Sequence, residues 1–263
     1  MYYENAEKFK ESNGYEINNI WYPRVTKIVA IKSKPGLDIF LKEIGDYALA
    51  ENVKNKSAEE GSLVHNTIER LVLGEEIEVP EKIKPAVVAF QEFNEDRKII
   101  FDPRFIELRF WSSRHRYAGT IDALVTIDGK FGVLDIKTSS GFWPEYNLQT
   151  AAYLSALQEF DIKRALTLPK DIETRWILRV DQHRSCKKCG ATLREKGGRS
   201  KVKNSKRGLT SCGIEAHKWE DLKGEVELKE FPYFYRDLRA FMAAKILWEW
   251  ESDYWLRRIG YLR

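Results

Sequence analysis

The sequence predicts an α/β chain. Three observations carry that prediction. Two β-prone runs, 118–127 and 130–137, flank the turn dipeptide Asp128-Gly129. Further strand-like runs lie at 105–111, 174–181 and 225–229, and amphipathic helical segments separate and surround them.

Taken in order, Tyr22-Pro23-Arg24-Val25-Thr26 followed by Lys27-Ile28-Val29 reads as a Pro-led start to a short apolar helix. A second helix, roughly 36–50, follows Pro35-Gly36. Ser57-Ala58-Glu59-Glu60 has the form of a capping box, with Ser57 as cap and Glu60 reaching back. It would open a helix running to about Leu73, with Val64, Ile68, Leu71 and Val72 as its apolar stripe and His65 at the stripe's edge. A lone histidine in that place is ordinarily a packed or surface residue. Residues 82–98 read as another helix, with Val87, Phe90 and Phe93 inward. Phe105 to Trp111 alternates like a strand, and Arg114–Arg116 forms the corner before the central hairpin.

That hairpin is the most informative stretch. A two-residue loop at Asp128-Gly129 requires cross-strand partners to sum to 257, so Asp122 is expected opposite Asp135, and Thr120 opposite Lys137. Asp135 and Lys137 emerge on one face and Ile136 on the other. Opposed side chains sit about 5 Å apart, where like charges repel. A divalent cation between the two carboxylates would turn that repulsion into attraction. Downstream, Gln149 and Tyr153 share a face of a helix. Strands at 174–181 and 225–229 and a long helix from about Pro232 follow. That last helix carries Tyr233, Tyr235, Phe241, Trp248, Trp250, Tyr254 and Trp255, as core residues or as platforms for single-stranded bases.

Composition bounds the alternatives. The chain has 263 residues, 43% of them hydrophobic, enough for one large domain or a core with a small appendage. MYYENAEKFKES lacks the apolar centre of a signal peptide, and no apolar run approaches ~18 residues, so the expectation is a soluble, cytoplasmic protein. Three cysteines do not make a disulfide framework. Net charge is only +4, yet Arg184–Arg207 holds ten Lys or Arg against the single Glu195, which leaves the remainder net acidic. Charge therefore argues for DNA only in this stretch. Its Lys196, Arg199, Lys201, Lys203, Lys206 and Arg207 either grip phosphates by counterion release or form a solvated loop.

Starting in the same stretch and running past it, Cys186-x2-Cys189-x22-Cys212-x4-His217 has the spacing of a tetrahedral zinc site. Cys-Lys-Lys-Cys-Gly is a knuckle that aims two thiolates at one ion. So polar a segment has little core, and bound zinc would supply its folding free energy. His183 is a weaker substitute ligand.

Asp122, then Asp135-Ile136-Lys137, gives Asp-x12-Asp-x-Lys, which resembles the PD-(D/E)xK nucleases. Gln149-x3-Tyr153 resembles the RecB-like branch of that superfamily, which includes lambda-type exonucleases and the CRISPR-adaptation nucleases. Gly61-x3-His65 resembles the branch's Gly-x-x-x-His motif, and the resemblance makes His65 a metal ligand. Tyr22–Thr26 resembles its P-S-V-T opening segment, with Arg24 in place of serine. Glu107 matches an acidic position that precedes Gly-x-x-Asp in the family, where it would tune the site or aid metal binding; an exposed strand glutamate is the plain alternative. The likeness runs from about Tyr22 to Asp181 and less securely through 225–263. Members with an iron–sulfur cluster use four cysteines, one of them before the histidine motif; this chain has none there, which favours zinc.

The resemblance implies a restriction-endonuclease-like core: a short mixed β-sheet flanked by helices, with the helical N-terminal third as an arch or wall. The nuclease core would span 1–182, a zinc-binding basic insertion 183–222, and a returning strand and helix 223–263. It also implies that His65, Asp122, Asp135 and the Ile136 carbonyl hold Mg²⁺ or Mn²⁺. Lys137 would orient the attacking water or stabilise the developing charge, with a pKa lowered by the metal, while Gln149 and Tyr153 would place the DNA backbone or the water through hydrogen bonds. The leading expectation is a DNA exonuclease acting on single- or double-stranded ends in repair, recombination or processing, with protein partners in such an assembly. A structure-selective or site-specific endonuclease and a non-catalytic nucleic-acid-binding module are the alternatives.

Overall fold

A computed structural model of the chain describes residues 3–32, 35–204, 212–213 and 216–263, without the side chains of 35–38. The N-terminal part comprises α1 (Ala6–Asn13), a hairpin of β1 (Gly14–Ile17) and β2 (Ile20–Pro23), and α2 (Val25–Val29). Three further helices follow: α3 (Pro35–Ile44), α4 (Tyr47–Val72) and α5 (Lys84–Arg97). Strands β3 (Ile100–Ser112), β4 (Tyr117–Ile127) and β5 (Lys130–Lys137) lead to α6 (Pro144–Leu157) and α7 (Phe160–Ala165). The chain then forms β6 (Thr174–Ser185), β7 (Thr192–Lys196), β8 (Arg199–Lys203) and β9 (Lys223–Glu230). It closes with α8 (Tyr235–Glu251) and α9 (Asp253–Arg258).

The protein is α/β, with a mixed multi-stranded sheet flanked by helices. The order is β3-β4-β5-β6-β7-β8, and β9 also pairs with β6. Strands β5 and β6 are parallel, because α6 and α7 form the crossover between them; the other pairs are antiparallel. Alternation along the strands feeds two cores. Val133 faces a cluster with Phe110, Tyr153, Phe241 and Trp248, whereas Leu134 and Ile136 face one with Ile68, Phe90 and Leu178. Helices α2, α6 and α8 cover the first face, and α4 and α5 the second. Burying a side chain such as Phe90 contributes about 1.5–3 kcal/mol.

Two helix boundaries differ from expectation. The segment 36–50 divides at Gly45, which adopts φ 71°, so α3 ends at Ile44. Helix α4 then starts at Tyr47 and runs unbroken through Ser57; its cap is Asp46, whose carboxylate accepts the Leu49 N–H at 3.1 Å. Ser57 and Glu60 therefore do not form a capping box. Glu60 instead accepts the N–H of Gly197, at the tip of the β7–β8 hairpin.

Strand β6 also continues past the expected 182/183 boundary. Arg184 and Ser185 pair with β7, so the Arg194–Arg207 stretch is not a plain loop but begins as a β-ribbon grown from the central sheet. Gly197 and Gly198, at φ 62° and 76°, make its two-residue turn. Among the described residues, no helix is long and apolar enough to cross a membrane.

Candidate active site and metal centres

The central hairpin turns as expected, with Asp128 at φ 51° and Gly129 at φ 80°. Pairing runs from Ile127↔Lys130 to Ala123↔Leu134, the predicted register. It ends there, one pair short of Asp122 and Asp135. Beyond it the backbone N–H of Ile136 donates to Asp122 Oδ2 at 2.5 Å, so the parting strands hold the carboxylate through main chain. On the neighbouring strand, Ile106↔Ala123 and Leu108↔Ile121 are paired, but Glu107 between them adopts φ 49°. A left-handed glutamate in a strand is strained, and such strain gathers at functional sites.

The carboxylates of Glu107 and Asp122 converge on His65 from α4. His65 Nε2 lies 3.2 Å from Asp122 Oδ2, and Nδ1 lies 3.7 Å from Glu107 Oε1. One ligand atom from each of the three residues lies within 4.8 Å of the others. Burial opposes a charge on His65, but Asp122 and Glu107 outweigh it and raise its pKa to about 9. Burial, the Asp122 charge and Glu69 push Glu107 up to about 6, against the pull of His65. Burial likewise opposes ionisation of Asp122, yet His65, Lys137 and the Ile136 N–H hold its pKa below the usual carboxylate value.

Asp135 lies outside that set of three. It is wholly buried, and Lys137 Nζ sits 2.8 Å from each of its oxygens. Gln149 Nε2 donates to Oδ1 at 3.1 Å and to Tyr153 Oη at 2.6 Å, so Gln149 and Tyr153 share one network with Asp135. Oδ2 accepts no hydrogen bond of good geometry. Burial raises the Asp135 pKa, with Lys137 opposing and Asp122 adding to the rise. The His65, Glu107 and Asp122 set, two carboxylates and one imidazole, suits Mg²⁺ or Mn²⁺, while Asp135 Oδ2 faces the Lys137 ammonium at 2.8 Å. In the metal-free chain Lys137 answers to the carboxylates around it. Burial lowers its pKa, but Asp135 and Asp122 more than compensate, so the net shift is upward.

Sequence reasoning missed two residues here. Tyr146 places its ring 5.3 Å from Lys137 Nζ; it stands three residues before Gln149 on the same helix, a spacing that could have revealed it. Arg175 is fully buried and donates to the carbonyls of Asn147 and Phe231 and to Thr150 and Asp237. It ties the start of α6, and so Gln149, to the C-terminal segment. No periodic signal marks it.

The cysteine segment forms a second centre. Ligand atoms of Cys186, Cys189, Cys212 and His217 lie within 4.8 Å of one another. The knuckle closes through Gly190 N–H to the Cys186 carbonyl at 2.9 Å, with Gly190 at φ 69°. His217 stacks on Trp219 and lies 3.5 Å from Cys189 Sγ. Burial acts against ionisation of Cys186, but backbone N–H groups and His217 hold its pKa below normal. This set can hold a tetrahedral metal ion. His183 is not part of it and lies 3.4 Å from Glu225.

The basic residues separate. Lys196 turns inward to Thr138, and Arg199 pairs with Glu43 at 2.6 Å, so neither is a free surface charge. Lys201 and Lys203 are exposed. Lys206 and Arg207 lie outside the described residues. The terminal aromatics separate too: Phe241 and Trp248 are core, Trp255 packs on Phe9, while Tyr233, Tyr235, Trp250 and Tyr254 are exposed. No protein-family model matches the chain, and no curated protein matches it at a significant level.

Proposed function

We propose that this protein is a divalent-metal-dependent deoxyribonuclease of the PD-(D/E)xK type, RecB-like branch, with a restriction-endonuclease-like core and a structural zinc ion on Cys186, Cys189, Cys212 and His217. The observation that carries the reading is the meeting of His65, Glu107 and Asp122 beside the Asp135–Lys137–Gln149–Tyr153 network where β4 and β5 part. A structural hairpin has no use for two carboxylates converging on one histidine beside a third, fully buried one. Asp122, Asp135, His65 and the Ile136 carbonyl would hold Mg²⁺ or Mn²⁺, and Glu107 either joins them or orients the His65 ring.

A bound divalent ion supplies charge that polarises the scissile phosphate and acidifies water. The chain's own groups do the rest. Lys137, paired with Asp135, would orient the attacking water or offset charge developing on the phosphate. Gln149 fixes Asp135 and the Tyr153 hydroxyl in one line. Phosphate and metal contacts carry no base information, so cleavage is expected to be sequence-tolerant.

The preferred substrate is a DNA end, as in the relatives that share Gly-x-x-x-His and Gln-x-x-x-Tyr, and the protein would serve repair, recombination or processing. Linear and covalently closed circular DNA, incubated with Mg²⁺ or Mn²⁺, test this. Digestion of linear DNA alone supports the proposal. Nicking of circles assigns an endonuclease of the same chemistry, and binding without cleavage assigns a non-catalytic module.

A further inference from the structure

Beside the carboxylates, a groove continues past Lys137 between α4, the segment after β5 and the β7–β8 ribbon. Two adjoining cavities of about 280 and 330 Å³ form it and share Ser57, Ala58, Lys137 and Thr138. The ribbon contributes the two cations of its far wall, Arg194 and Lys196. Lys196 Nζ donates to Thr138 Oγ1 at 2.8 Å and to the Thr138 carbonyl, and Arg194 Nη2 donates to that same carbonyl at 3.0 Å.

The ribbon is clamped there. The Gly197 N–H donates to Glu60 at 3.0 Å, and Arg199 reaches Glu43. Gly61, the glycine of Gly-x-x-x-His, lacks a side chain where a Cβ would stand 2.6 Å from Thr138 Oγ1 and 3.7 Å from Lys196 Nζ. The helix and the ribbon are thus fitted closely around one lysine.

That lysine has an unusual balance. Arg194 is offset by Asp181 at 2.6 Å, but among the described residues Lys196 has no carboxylate within ion-pair distance. Its hydrogen-bond partners are neutral oxygens. Burial, and then the charge of Arg194, lower its pKa to about 8. A cation in a groove without a matching anion is costly unless a ligand supplies the charge. A bare clamp on Thr138 needs only a neutral donor. Trp143, 44% exposed on the same groove, offers an indole face on which a base can stack, which favours a nucleic-acid strand over a free ion.

We propose that this groove is a phosphate subsite of the nucleic-acid strand, in which Lys196 of the ribbon, with Arg194 and Lys137 at its sides, holds a backbone phosphate neighbouring the one at the metal site. The inference rests on the nuclease reading for what the strand undergoes, but not for its binding. Lys196→Gln keeps an N–H donor on a side chain one methylene shorter and removes the charge, and Lys196→Arg controls for reach. Binding of a fluorescent oligonucleotide is measured in Ca²⁺ as a function of salt, for the wild type, Lys196→Gln, Lys196→Arg and the exposed Lys201→Gln, with thermal melts alongside. Lys196→Gln is expected to weaken binding about tenfold and to reduce the slope of log affinity against log salt by roughly 1. Lys196→Arg restores both, and Lys201→Gln changes affinity less. An unchanged slope in Lys196→Gln overturns the subsite, whether or not the melt shifts, as does an equal loss in Lys201→Gln. Wild-type digestion of linear DNA is scored separately. Cleavage with no Lys196 effect removes the subsite alone; a Lys196 effect without cleavage keeps the subsite and removes the nuclease; no binding by the wild type removes both.

Discussion

His65 Nε2 lies 3.2 Å from Asp122 Oδ2, joining the C-terminal third of a 26-residue helix to the end of the central hairpin. Glu107 closes the other side of the imidazole. If this triad binds the cation, Glu107→Gln should lower Mn²⁺ affinity roughly tenfold by loosening either a ligand or the ring's support. His65→Ala should lower Mn²⁺ affinity more than Mg²⁺ affinity, because imidazole favours the softer ion. Titration calorimetry with both ions measures this, and equal loss for the two would speak against a histidine ligand.

Lys137 and Asp135 form a buried pair whose carboxylate has no exposed surface. Lys137→Ala leaves that charge without its partner, so the metal-free variant should lose about 3 kcal/mol in urea unfolding. Mg²⁺ or Mn²⁺ should return part of the loss while cleavage stays absent. A variant as stable as the wild type in metal-free buffer would contradict the pairing.

Gly61→Ala offers a sign test. In an exposed helix interior the change stabilises by about 1 kcal/mol. Here the added Cβ meets Thr138 Oγ1 at 2.6 Å. The variant should therefore be less stable than the wild type and less active, by denaturant melts and by DNA digestion.

The knuckle should carry one zinc ion. Cys186, Cys189 and Ala191 are the only buried residues of its small core among those described, so a bound metal would provide most of its stability. Cys189→Ser is expected to purify without zinc and to expose the stretch after Ser185 to protease. Full metal content in that variant would remove the assignment.

Lys196 gives a pH dependence. Its folded pKa, lowered to about 8, lies below the ordinary lysine value of 10.5. The unfolded chain therefore holds the proton more tightly, and stability should rise with pH between about 8 and 10.5. Subtracting the same curve for Lys196→Met isolates the effect, and a flat difference over that window would count against a buried cation.

The hairpin was legible because it is local: Asp128-Gly129 fixes the turn, and alternation fixes the faces. The strands β6 and β9 and the helix α5 announced themselves in the same way. What could not be read was tertiary. Ser57-x-x-Glu60 has the pattern of a cap, yet Glu60 serves Gly197, 137 positions away, and Asp46 caps instead. The charges of 194–203 masked a ribbon whose Gly197-Gly198 turn was in plain sight. The resemblance had named Glu107, but no residue preference announces the left-handed backbone at that position. Asp135 was expected to face Asp122 across a ladder, but the ladder ends before them, and the Ile136 N–H takes the place opposite Asp122.

The most direct measurement is anomalous scattering from crystals soaked in Mn²⁺. The prediction is a peak bonded to Asp122 and His65, within reach of Asp135 and the Ile136 carbonyl, that vanishes in Asp122→Asn. A peak elsewhere, or none at saturating Mn²⁺ with those side chains ordered, would contradict the account.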